Sequence, residues 1–71
     1  MYIVVELQKN GDQVANLVYT YASRYEAESK YHQVLSAAAI STVEVHSAVM
    51  LTEEGYLIKN ESYRHMTEGE E

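Results

Sequence analysis

The chain contains no cysteine, no tryptophan and no phenylalanine, and only five of its 71 residues are basic. Without cysteine, disulfides cannot brace a small core, and the composition fits a reducing compartment. Its three histidines are scattered, so they do not form the clustered ligand set of a structural zinc. Five basic against eleven acidic residues give a net charge of −6, which lacks the Lys/Arg footprint that phosphate-backbone binding needs. The charge therefore disfavours nucleic acid as a partner, whereas a basic protein partner is compatible. No basic segment followed by an apolar run marks a secretory leader, and no apolar run approaches the roughly 20 residues of a membrane helix. The expected location is cytoplasmic. There is no Gly-rich phosphate loop, no paired-carboxylate spacing and no Ser/His/Asp order. The sequence thus predicts no enzyme, no cofactor and no metal.

What is present is an organisation. A chain of 71 residues makes one domain, and such a chain buries only about 60% of its unfolded surface, so its core needs reinforcement. With disulfides and zinc set aside, oligomerisation remains. Residues 2–8, YIVVELQ, are β-branched and aromatic with no Gly or Pro, and read as a strand. Residues 13–21, QVANLVYTY, read as its hairpin partner. A two-residue Asn-Gly loop would set Val5 opposite Asn16. A three-residue loop, Lys9-Asn10-Gly11 with Gly11 left-handed, instead joins Ile3, Val5 and Leu7 to Ala15, Leu17 and Tyr19 on one face. The second register gathers the better apolar set and is the one expected. A one-residue slip would exchange the two faces entirely.

Ser23–Ile40 carries the one helical period. Ser23 is a candidate N-cap with Glu26 three residues on, the capping-box spacing. Ala27, Tyr31, Val34, Leu35 and Ala38 form an apolar stripe, and Glu26 to Lys30 is a favourably oriented ion pair. The helix should end near Ala39, and at about 24 Å it matches a seven-residue strand of about 23 Å. Residues 42–51 read as a third strand, Thr52-Glu53-Glu54-Gly55 as a type I turn, and residues 56–63 as a fourth. That loop puts Val45, Val49, Leu51, Tyr56 and Ile58 on one face. The fold predicted is α+β, ββαββ: a four-stranded antiparallel sheet with one helix packed on one face, over residues 1–63. Residues 64–71 are expected to be a disordered acidic tail. Strand order is left open.

One helix covers one face of such a sheet. The other face, on this register, carries Tyr2, Val4, Val14, Val18, Ala48, Met50, Leu57 and Tyr63, mixed with Glu6, Asn16, His46, Lys59 and Glu61. That much apolar surface approaches what a soluble monomer tolerates. Tyr2, Val4, Val14, Val18, Met50, Leu57 and Tyr63 are therefore the candidate interface of a homodimer or larger homo-oligomer. Among the seven tyrosines, Tyr19 and Tyr31 are assigned to the core, and Tyr2, Tyr25 and Tyr63 to an interface, where an apolar ring with a water-tolerant hydroxyl is favoured. His46 is expected beside Glu61 as a cross-strand polar pair, and His32 beside Glu28 on the helix.

The segments VELQ-x₄-VANLVYTY, EAESKYH and HSAVMLT-x-EGYLIKNESY resemble a group of short proteins of gut Firmicutes and their phages or mobile elements. The likeness covers residues 1–65. The group has no assigned activity, so the resemblance implies a genomic setting and no site residues. The function expected is a non-enzymatic interaction or oligomerisation module that binds another protein. Alternatives are a small-ligand or nucleotide sequestering protein with a pocket between protomers, and a nucleic-acid-binding accessory protein.

Overall fold

The computed structural model describes residues 1–65. Its elements are β1 (Tyr2–Asn10), β2 (Gln13–Tyr21), α1 (Arg24–Ala39), β3 (Val45–Thr52) and β4 (Leu57–Arg64). The strands form one antiparallel sheet in the order β2-β1-β3-β4, with α1 packed on one face. The ββαββ expectation holds, and β1 is the strand that joins the two hairpins.

The first hairpin departs from the expected register. Asn10 pairs with Gln13, leaving Gly11-Asp12 as a two-residue loop, with Val5 opposite Val18 and Leu7 opposite Asn16. Gly11 has φ +61, while no non-glycine residue among those described has positive φ. That combination is a type II′ turn, whose first central position needs glycine. Glu44 completes the loop: its Oε1 accepts from Gly11 N–H at 2.9 Å, and its own N–H donates to Asn10 Oδ1 at 3.1 Å.

The register reverses the two sheet faces. Tyr2, Val4 and Glu6 now share a face with Leu17, Tyr19 and Tyr21, and with His46, Ala48 and Met50 of β3. This is the face that α1 covers. Val4, Ala48 and Met50 lie at 0% exposure against Ala27, Tyr31 and Val34 of the helix. Val4 and Met50, expected at an interface, are instead the two largest fully buried side chains. Tyr2 packs against the same core, and Tyr63, paired with His46, is half-buried on that side.

Chain topology explains the choice of face. β2 and β3 both run antiparallel to β1, so they are parallel to each other, and α1 connects them as a crossover. Such crossovers are right-handed in nearly all proteins. On an upward strand of L-residues, a side chain facing the viewer sends its N–H and C=O to the right. The two-residue turn makes Gln13, Ala15, Leu17, Tyr19 and Tyr21 the residues bonded to β1. A right-handed crossover then requires the helix on their side, which is where α1 lies.

The second hairpin closes as expected at Thr52–Gly55, with Gly55 N–H donating to Thr52 O at 2.9 Å and Gly55 at φ +93. A bulge follows: Met50 pairs with Lys59 but Leu51 with Leu57. The extra residue, Ile58, turns to the core beside Lys59, not to the side of Val49 and Leu51 as expected.

The helix starts as predicted. Ser23 Oγ accepts from Tyr25 N–H at 3.1 Å, and Ala27, Tyr31, Val34 and Ala38 are its buried residues. Its charged partners differ from expectation. Glu28 bonds Arg24 at 3.1 Å and Lys59 at 3.4 Å, so it is not the partner of His32. Lys30 lies over the Tyr19 ring at 4.1 Å from its centroid, not on Glu26. Two residues assigned to the tail have ordered places: Arg64 ends β4, and His65 N–H donates to Glu44 O at 2.8 Å. Residues 66–71 lie outside the described residues.

Candidate interaction surface and the His46 cluster

With α1 on one face, the other face has no layer over it among the described residues. Alternation places Ile3, Val5 and Leu7 of β1 at its centre, beside Val45, Ser47, Val49 and Leu51 of β3. β2 adds Val14, Asn16, Val18 and Thr20, and β4 adds Leu57, Asn60 and Ser62. Charge appears at one end only, where Lys9, Val45 and Arg64 share a row. Of the predicted interface residues, Val14, Val18 and Leu57 stand here, exposed by 62, 58 and 56%.

The distribution is the reverse of the usual one for a half-solvated sheet, in which the covered face is apolar and the open face charged. Here the charged residues Glu6, Lys59 and Glu61 belong to the helix side. They surround a small core of valine, alanine, methionine and tyrosine.

One polar cluster lies within the covered face. His46, 4% exposed, bonds Glu6 Oε2 through Nε2 at 2.6 Å and Ser41 Oγ through Nδ1 at 3.0 Å. Gln8 Nε2 donates to the same Glu6 oxygen at 3.0 Å, and Ser41 Oγ also accepts from Val43 N–H at 3.3 Å. Nε2–H donates to the carboxylate in either protonation state of the ring. The serine hydroxyl donates to the neutral ring and accepts from the charged one. The order hydroxyl–imidazole–carboxylate is that of a nucleophile, base and orienting acid. Here the ring is enclosed and the hydroxyl is engaged on two sides. The cluster ties β1, β3 and the segment after α1 together. Sequence spacing placed His46 beside Glu61, but Glu61 faces Ala48. The true partner is 40 residues away in sequence and depends on β1 neighbouring β3, which local patterns do not encode.

The remaining acidic contacts lie outside this cluster, at the ends of the sheet for Glu44 and Glu53 and on α1 for Glu28. A hydrogen bond from Gly11 N–H, and then the charge of Lys9, hold the Glu44 carboxyl below its ordinary range. The N-terminal ammonium, 2.7 Å away, does the same for Glu53. Arg24 and then Lys59 lower Glu28. Burial raises the Tyr31 hydroxyl, with Glu61 adding to the effect.

No group of three or more His, Cys, Asp or Glu among the described residues is placed to hold a metal ion. No helix among them is long and apolar enough to cross a membrane. Comparison with protein-family models, with curated proteins and with solved structures finds no match.

Proposed function

We propose that this chain is a non-enzymatic self-association and protein-binding module that works through the open face of its sheet. The observation that carries this reading is the absence of charge over the centre of that face in a chain of net charge −6. Two acidic molecules approach each other at least electrostatic cost where neither bears a carboxylate. A second copy is the occupant that suits the face best. Lys9 and Arg64 mark one end, and a two-fold axis through the centre places them at opposite ends of the pair.

The dimensions support a stable contact. Four strands about 4.8 Å apart and eight residues long at about 3.3 Å give roughly 500 Å² per copy. Two copies bury about 1,000 Å², the lower bound for a specific interface. Sheets packed face to face at about 10 Å would interdigitate Val5, Val18 and Val49 from each side. The reinforcement that a core this small requires would come from the same contact. In this reading the chain works in the cytoplasm, as its composition predicts, and the resemblance of residues 1–65 implies a phage- or mobile-element-associated setting.

Light scattering on the purified protein tests the reading. A mass of two copies, or a multiple of two, is expected. Val49→Lys, which puts a charge at the centre of the face without touching the helix-side core, should reduce that mass while leaving the circular dichroism spectrum folded. A mass of one copy for the unaltered chain at tens of micromolar overturns the reading.

A further inference from the structure

The two edges of the sheet are protected very unequally. β4 has the usual defences of an exposed edge: Lys59, Glu61 and Arg64 along its length, and a bulge opposite Met50 and Leu51. β2 has none. Its nine residues, QVANLVYTY, include no charge and no proline, and its pairing with β1 runs through all nine without a bulge. It is also exposed on both sides, with Val14 and Val18 on the open face and Leu17 on the helix side.

We infer that β2 is a second assembly surface, distinct from the open face, on which the β2 strand of another copy pairs antiparallel. The type II′ turn fixes which groups are free. Ala15, Leu17 and Tyr19 bond to β1, so the N–H and C=O groups of Val14, Asn16, Val18 and Thr20 point outward. A two-fold axis at Leu17 sets Asn16 of one copy against Val18 of the other, and Val14 against Thr20. Each of these is a hydrogen-bonded pair made of outward groups.

The side chains agree with this register. At the axis Leu17 meets Leu17, in the closely spaced kind of pair that brings side chains together. Ala15 of one copy faces Tyr19 of the other, small against large. Beside it lies a hollow of about 150 Å³ lined by Glu6, Gln8, Ala15, Asn16 and Leu17. No charge opposes a like charge, because the strand has none. That neutrality favours a second copy over an extended segment of a charged partner, for which the strand's own residues offer no ion pair. The product is a continuous eight-stranded sheet with both helices on one side. Its open faces form one surface on the other side, with charge only at the rows of Lys9 and Arg64. Edge pairing therefore leaves the face contact intact, and the two together give a four-copy assembly with three mutually perpendicular two-fold axes.

Hydrogen exchange resolved by residue, combined with light scattering, tests the inference. The amides of Val14, Asn16, Val18 and Thr20 should be protected at high protein concentration and exchange rapidly on dilution. Those of Ala15 and Leu17, bonded to β1, should stay protected throughout. Asn16→Pro removes an outward donor at a position where an edge strand tolerates proline. It should halve the mass of the assembly and release the even-numbered amides, with the helical signal unchanged. Val49→Lys should leave an edge-paired dimer whose even-numbered amides remain protected. A mass of two copies with rapid exchange at Val14, Asn16, Val18 and Thr20 overturns edge pairing and leaves the face contact standing. A mass of one copy overturns both. Protection of β2 that appears only on adding an extended peptide from another protein overturns the second copy as its occupant.

Discussion

His46 is the buried polar residue of the helix-covered face. It bridges Glu6 and Ser41 while only 4% exposed. A buried polar group is costly when its partner is removed and nearly neutral when both are replaced together. His46→Leu leaves the Glu6 carboxylate, itself mostly enclosed, with Gln8 as its remaining donor. A loss of about 1–3 kcal/mol is expected by urea denaturation. The double variant Glu6→Leu/His46→Leu should recover part of that loss, and equal losses for the single and double variants would refute the pairing. Glu44 gives a second residue-scale prediction. Its folded pKa is lowered, first by the Gly11 amide and then by Lys9. A lowered carboxylate contributes stability above its unfolded value of 4.5 that is lost as pH falls through the folded value. Urea midpoints between pH 7 and pH 2.5 should therefore fall below about pH 4.5. Glu44→Gln should make that fall shallower and leave the alkaline side unaltered. Glu28 and Glu53 shift the same way and will sustain the remainder of the acid dependence. Tyr31 acts at the other end of the scale. Its raised pKa means a contribution present below its usual value of 10.0 and lost as pH rises through the folded value.

At the scale of elements, both hairpins and the helix were legible because their signals are local: β-branched runs, Asn-Gly and Glu-Gly turns, and a stripe at three- and four-residue steps. The side on which the helix lies was not. Counting apolar residues favoured burial of Ile3, Val5 and Leu7. That count is correct about where the apolar residues are and silent about which of them α1 covers. The face was set instead by a single loop residue and a handedness rule. Closing the hairpin on Gly11-Asp12 and not on Lys9-Asn10-Gly11 shifts the pairing by three residues, an odd number, which exchanges faces. A right-handed crossover then follows that choice. The interface residues divided accordingly, with Val4 and Met50 inside and Val14, Val18 and Leu57 outside. The turn can be tested directly. A Cβ at Gly11 meets nothing within 4 Å, so any penalty there comes from the backbone at φ +61. Gly11→Ala should cost about 1–2 kcal/mol through left-handed strain. Total chemical synthesis with D-alanine at position 11 should remove that cost, and with it the difference in thermal midpoint. Equal midpoints for the two alanine forms would mean that the turn does not require positive φ in solution.

At the scale of the whole molecule, the helix-side core consists of Val4, Ala27, Tyr31, Val34, Ala48 and Met50, with two alanines among its six residues. Against it stands an open face whose valines, leucines and isoleucine outnumber the aliphatic residues of the core. The chain places its larger aliphatic set on the side without a helix, so the energetics of folding and assembly are coupled. Anything that binds the folded form alone stabilises it by mass action, and for self-association the ligand is the protein itself. The thermal midpoint should therefore rise with protein concentration. If the assembly dissociates near 1 µM, a hundredfold excess over that concentration adds about 2.7 kcal/mol, which for a domain of this size is a rise of roughly 10–20 degrees. Val49→Lys should abolish the concentration dependence of the face contact and keep the low-concentration midpoint of the unaltered chain, because its side chain lies outside the core. Scanning calorimetry from 2 to 200 µM makes the comparison. A midpoint independent of concentration in the unaltered chain would show that the small core suffices alone and that the open face is ordinary solvated surface.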